Sequence, residues 1–170
     1  MATTIADFFK YNLWANLLVL DACAGLDDAR LDATIRGTFG SVRETLVHIV
    51  AAEEGYVQRF TGQRTEPALH EDDPFPGFDE LRRRARQSGE RLIEIAEQCD
   101  AGQVLRLSYQ GQIYDVPAIF VLIQAINHAV DHRSQVATVL SQQDVTPPEL
   151  DGWSYYWACE NAMRKPDEMG

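Results

Sequence analysis

Residues 117–142, PAIFVLIQAINHAVDHRSQVATVLSQ, carry the reading on which the fold depends. The run holds no glycine, and its one proline stands first, where the opening turn of a helix tolerates a missing N–H. Val121, Ala125, His128, His132, Val136 and Val139 recur at three- and four-residue intervals and so share a face. The pattern predicts a helix from Pro117 to Gln142, ended by Pro147-Pro148. Within it, His128 and His132 are spaced i,i+4, which stacks two imidazoles one turn apart on or beside the core face. Such a pair can chelate one ion. It can equally be a pair of core histidines hydrogen-bonded to neighbours such as Gln124 or Gln135, and the spacing alone fits both.

Upstream, Val104 to Val116 alternates β-formers around Gln110-Gly111 and predicts a short hairpin. A charged helix is expected from Asp79 to Cys99, and the Pro-rich, acidic stretch from Gln63 to Gly77 reads as a loop. Ser41-Val42-Arg43-Glu44 matches a capping box and opens a helix that ends before Gly62. The first helix runs from Thr4, its N-cap, to Ala24, with Gly25 as the stop. Phe8, Tyr11, Ala15, Leu18 and Ala22 line one face of it, and Phe9, Leu13, Leu17 and Leu20 nearly the opposite one. One side should meet the bundle, and the other a second subunit or the aromatic C-terminal segment, with the Leu13 and Leu17 stripe expected to form a dimer face. Trp153 to Met163 predicts a short aromatic helix. The sum is an all-α, four-helix bundle with a β-hairpin before the fourth helix and a short C-terminal helix, in a single domain over residues 1–170.

Fifteen Lys and Arg stand against 26 Asp and Glu, a formal net charge of −11. A field of that sign repels phosphate backbones, so no nucleic-acid partner is expected. The basic cluster Arg82 to Arg86 reads as a solvated helix face paired with nearby glutamates. No apolar run approaches the ~20 residues that span a bilayer, and the N-terminus lacks the pattern of a secretory signal. A cytoplasmic protein with no membrane partner is expected, its Cys23, Cys99 and Cys159 reduced.

His48 lies at the edge of the stripe formed by Val42, Ile49, Tyr56 and Phe60, with Thr45, Ala52 and Gly55 leaving room beside its ring. With a chelating pair on another core helix, it becomes the natural third ligand, whereas His70, in the acidic loop, is excluded. Three neutral imidazoles suit a divalent transition metal, zinc or nickel foremost, and leave a coordination position open. Such a site lowers the pKa of a bound water or activates a substrate group. Glu53 falls amid apolar residues of the second helix. It reads as a structural acceptor for Asn12, Asn16 or the Trp14 indole, in preference to a general base. Asp131 fits either a carboxylate orienting an imidazole or simple exposure.

These residues also form recognisable segments. Tyr11-Asn12-Leu13-Trp14-Ala15-Asn16, His48-Ile49-Val50-Ala51-Ala52-Glu53 and Asn127-His128 through His132-Arg133-Ser134-Gln135 resemble, in order and spacing, the motifs of the DinB/YfiT-like superfamily of metal-binding bundles. The hairpin before Pro117 falls where that family places one. The resemblance covers about residues 4 to 142. It implies an up-down-down-up bundle, a metal held by His48, His128 and His132, and a homodimer. Members of the family with known roles include S-transferases and isomerases that use small thiols. Together with the open three-histidine site, this sets the expectation of a metal-dependent enzyme on a small molecule, of the S-transferase type with a low-molecular-weight thiol or of the hydrolase type. A non-catalytic metal-binding or sensing homodimer is the alternative.

Overall fold

The computed structural model describes residues 5–100 and 102–163. In chain order the elements are α1 (Ile5–Cys23), α2 (Asp28–Leu31), α3 (Val42–Thr61), α4 (Phe78–Gln98), β1 (Val104–Tyr109), β2 (Gln112–Pro117), α5 (Ala118–Ser141) and α6 (Gly152–Met163). The capping box forms as the sequence predicts: Glu44 N donates to Ser41 Oγ (3.2 Å), and Ser41 N donates to the Glu44 carboxylate (2.7 Å). Gly62 closes α3 in the left-handed conformation. The expected cap at Thr4 lies outside the described residues, and the single turn α2 is an element the periodicity did not announce.

Contacts fix the helix directions. Asp21 pairs with Arg82, while Leu13 lies against Gly89, so α1 and α4 are antiparallel. His48 meets His132, while Tyr56 and Gln124 line one cavity, so α3 and α5 are also antiparallel. Glu54 pairs with Arg84, and Thr61 shares a cavity wall with Arg91 and Glu94, which makes α3 and α4 parallel. The bundle is up-down-down-up, with the crossover at residues 62–77. The hairpin pairs Tyr109 with Gln112 across Gln110-Gly111, both at positive φ. That is the backbone a two-residue turn needs to follow strand twist.

Two apolar clusters fill the interior. Val19, Leu20, Leu46, Leu81, Val136 and Leu140 pack at one end, and Phe9, Tyr56, Leu92, Leu105 and Leu122 at the other. Each fully buried leucine contributes about 2 kcal/mol. Between the clusters lies a polar layer, described below with the site.

Two sequence expectations change. The Leu13 stripe packs against α4: a Cβ on Gly89 would sit 2.8 Å from Leu13 Cδ1. Only a residue without a side chain allows the two helices this close. The opposite stripe meets the aromatic C-terminal segment, because Tyr155 packs on Trp14 (5.3 Å between centroids) and on Tyr11 (5.7 Å). Arg84, read as part of a solvated face, is 4% exposed and pairs with buried Glu54 at 2.8 Å. Arg82 and Arg83 do lie on the surface among Asp21, Asp79 and Glu80. Cys23, Cys99 and Cys159 are free thiols. No helix among the described residues is long and apolar enough to cross a membrane.

Candidate metal centre

α3 and α5 bring His48, His128 and His132 together. Their antiparallel packing sets His48 opposite the i,i+4 pair. His48 Nε2 lies 2.9 Å from His128 Nε2 and 3.2 Å from His132 Nε2. Three ligand nitrogens on one tetrahedral ion, at about 2.0–2.1 Å each, would stand about 3.3 Å apart. The observed convergence is close to that edge, and one ligand atom from each histidine lies within 4.8 Å of the others. Among the described residues, no cysteine or carboxylate joins this group. His48 and His132 are buried, and His128 is half-buried.

The surroundings favour neutral rings. Burial pushes the His128 imidazole down to about 4, helped by the two neighbouring imidazoles. Burial likewise lowers His48, against the opposing pull of Glu71. A neutral imidazole keeps the lone pair that a metal requires. The donor set therefore fits a divalent transition metal, although it does not select one.

Two residues from loops complete the surroundings, and neither was anticipated. The Phe39 ring stacks on His48 with centroids 3.9 Å apart and meets His132 edge-on. Gln135 holds Phe39 in place by accepting from its backbone N–H at 2.8 Å. From the crossover, the Glu71 carboxylate reaches to 3.2 Å of His48 Nδ1. The contact is at ion-pair distance without hydrogen-bond alignment, since Nδ1 has no partner by that criterion. The buried Nδ1 of His132 is likewise unpaired. Neither Gln124 nor Gln135 bonds a histidine; Gln135 serves Phe39 and Asp131 instead. Asp131 is exposed and accepts from Gln135 at 3.2 Å.

Directly inside the site lies the polar layer. Glu53, 4% exposed, accepts from Asn12 Nδ2 (3.0 Å) and Asn16 Nδ2 (2.8 Å) on one oxygen and from Ser88 Oγ (2.7 Å) on the other. The same two asparagines accept from Arg133 Nη1, at 2.7 and 2.5 Å. Glu53 and Arg133 are thus joined through a pair of amides. The Trp14 indole plays no part, because its ring lies with Tyr11 and Tyr155. Burial pushes the Glu53 carboxyl above its usual range, opposed by these donors. The structural reading of Glu53 holds.

A cavity of about 530 Å³ opens beside His128. Ala51, Ala52 and Gly55 leave the space, Arg59 and Arg64 stand on its wall, and Glu71 borders it. His70, excluded as a ligand, is absent from the histidine group and lines this cavity instead.

Comparison with known proteins agrees with the architecture. A family model described as the DinB family matches residues 1–167. Protein DinB of Bacillus subtilis (strain 168) is 22% identical over 142 residues, covering 79% of this chain and 83% of that protein. The crystal structure of a DinB-like protein from Bacillus cereus ATCC 10987 superposes with a TM-score of 0.64 at 22% identity, covering 88% of this chain and 99% of that one.

Proposed function

This chain belongs to the DinB family, and on that premise we propose that it is a metal-dependent enzyme acting on a small molecule. His48, His128 and His132 would hold one divalent ion, zinc or nickel foremost. The observation that carries the reading is a three-nitrogen cluster with no fourth side-chain ligand among the described residues, opening beside a 530 Å³ cavity. Structural zinc sites close their shell with four protein ligands, whereas catalytic ones leave a position for substrate or water. When bound, the ion would supply Lewis acidity suited to a thiol of low molecular weight or to hydrolysis.

The chain's own residues do the remaining work. Phe39 covers the outer face of His48 and limits water there. Glu71 favours an N–H at His48 Nδ1, which leaves Nε2 as the ligand atom. Tyr56, set edge-on to His128 at 5.9 Å, continues the cavity floor away from the histidines.

Elemental analysis of untagged protein tests this, alongside His48→Ala and His132→Ala. About one transition metal per chain is expected, lost in both variants while circular dichroism keeps its helical signature. A wild type that carries no metal and takes up neither zinc nor nickel would overturn the reading.

A further inference from the structure

The cavity beside the histidines has a charge pattern that the metal reading leaves unused. In a chain of net charge −11, two arginines line it, and neither has an ion-pair partner among the described residues. Arg59 sits in the last turn of α3, where a basic side chain can serve the helix dipole. Its guanidinium turns back along the helix instead, the usual direction for a long helical side chain. Nη1 comes to 3.5 Å of the space a Gly55 Cβ would take, and Cζ stands 5.0 Å over the Tyr56 ring. Since Tyr56 meets His128 edge-on, one aromatic ring separates the guanidinium from the candidate metal ligands. Arg64 gives one Nη2 bond to Leu69 O at 2.8 Å, while its buried Nε has no partner. Two acids also line the cavity, Glu71, which stands at ion-pair distance from His48, and Asp72, and neither forms an ion pair with either arginine.

We propose that this cavity takes a small molecule carrying a carboxylate, which Arg59 binds through its planar fork, with Arg64 as the second cation. The inference rests on the metal-dependent reading and names the substrate class for that site. A guanidinium fork matches a carboxylate in two parallel hydrogen bonds, stronger than bonds between neutral groups. Tyr56 supports the cation by its face and leaves the donors at the guanidinium edge free. The reactive end of the molecule then faces the histidines, and its length is limited to the span across one tyrosine ring.

Cobalt-loaded protein tests the proposal, with thiolate-to-cobalt absorption read during titration of two probes of equal size. 3-Mercaptopropionate should bind about tenfold more tightly than its neutral counterpart 3-mercaptopropionamide, as expected for one charge-assisted bond pair. Arg59→Gln should abolish that preference, and Arg59→Lys should restore only part of it. Equal affinities in the wild type, or a preference that survives Arg59→Gln, would overturn the proposal. A second measurement needs no metal: glutarate added to the metal-free protein should shift the Arg59 Nε–H resonance saturably. If cobalt is not taken up but that shift appears, the carboxylate site stands and the metal reading falls. If both thiols bind alike and glutarate shifts nothing, the metal reading stands and the carboxylate site falls.

Discussion

Replacing Glu53 by Leu and by Gln separates a buried hydrogen-bond acceptor from a buried charge. In Glu53→Leu the amides of Asn12 and Asn16 lose their acceptor, while Ser88 Oγ can turn fully to Arg84 O, 3.0 Å away. Each orphaned buried donor costs about 1–3 kcal/mol, and Arg133 also loses the anion it reaches through those amides. We expect a loss of about 3–5 kcal/mol, a large part of the roughly 5–15 kcal/mol that holds an ordinary domain together. At this chain length that lowers the melting temperature by roughly 6–20 °C. Gln can keep the geometry: its carbonyl accepts from both asparagines, and its amide donates to Ser88 Oγ. Burial already disfavours the ionised Glu53, so the neutral replacement also removes a desolvation penalty. A loss of about 1 kcal/mol is expected, roughly 2–4 °C. Urea and thermal unfolding of metal-free protein in chelator would be followed by circular dichroism, so that metal linkage does not contribute. Equal losses in the two variants would refute the acceptor role.

Acidification of the metal-free protein should weaken it between about pH 6.5 and 4. The His128 proton affinity is depressed to about 4 in the fold but is about 6.5 unfolded, so in that window the unfolded chain binds more protons and stability falls as pH falls. The full effect is about 3 kcal/mol, of which about 2 kcal/mol develops between pH 7 and pH 4.5, so His128→Gln should lose about that much less when unfolding is compared at those two values. Gly89→Ala and Gly55→Ala should have opposite signs in denaturant titrations. A Cβ at 89 meets Leu13 at 2.8 Å, and overpacking of about 1–3 kcal/mol exceeds the helix-propensity gain of about 1 kcal/mol. A Cβ at 55 finds nothing nearer than 3.5 Å, so there the gain of about 0.5–1 kcal/mol stands.

The bundle and the three histidines were legible because helical period carries both. The i,i+4 pair announces itself, and small residues around His48 mark a position with space beside the ring. Glu53 was legible for the opposite reason, as a carboxylate amid apolar neighbours that needed named donors, two of which the structure supplies. What stayed hidden has no period to reveal it. Phe39 and Glu71 sit in irregular segments, and only the tertiary fold swings them against His48. Arg84 follows the same pattern as its exposed neighbours, yet the parallel packing of α3 and α4 turns it onto Glu54. α1 is apolar on two sides, so its sequence cannot say which side meets α4; Gly89, on another helix, decides it.

The two helices that bear the histidines each carry a second buried group that points elsewhere. Arg133 follows His132 directly, about 100° further around α5, and Glu53 lies about 140° around α3 from His48. Each helix therefore presents an imidazole to the site and a charge to the interior, and Asn12 and Asn16 of α1 tie those two charges together. The distance between His48 and the α5 pair is then set from behind, by hydrogen bonds that only one spacing of α3 and α5 satisfies. Three converging imidazoles have no attraction of their own; neutral, they share at most weak N–H···N bonds, and protonated, they repel. The polar layer supplies the preorganisation that the histidines lack. On this account any metal uptake by the histidines should be weakened more by Glu53→Leu than by Glu53→Gln, although Glu53 lies outside the histidine group.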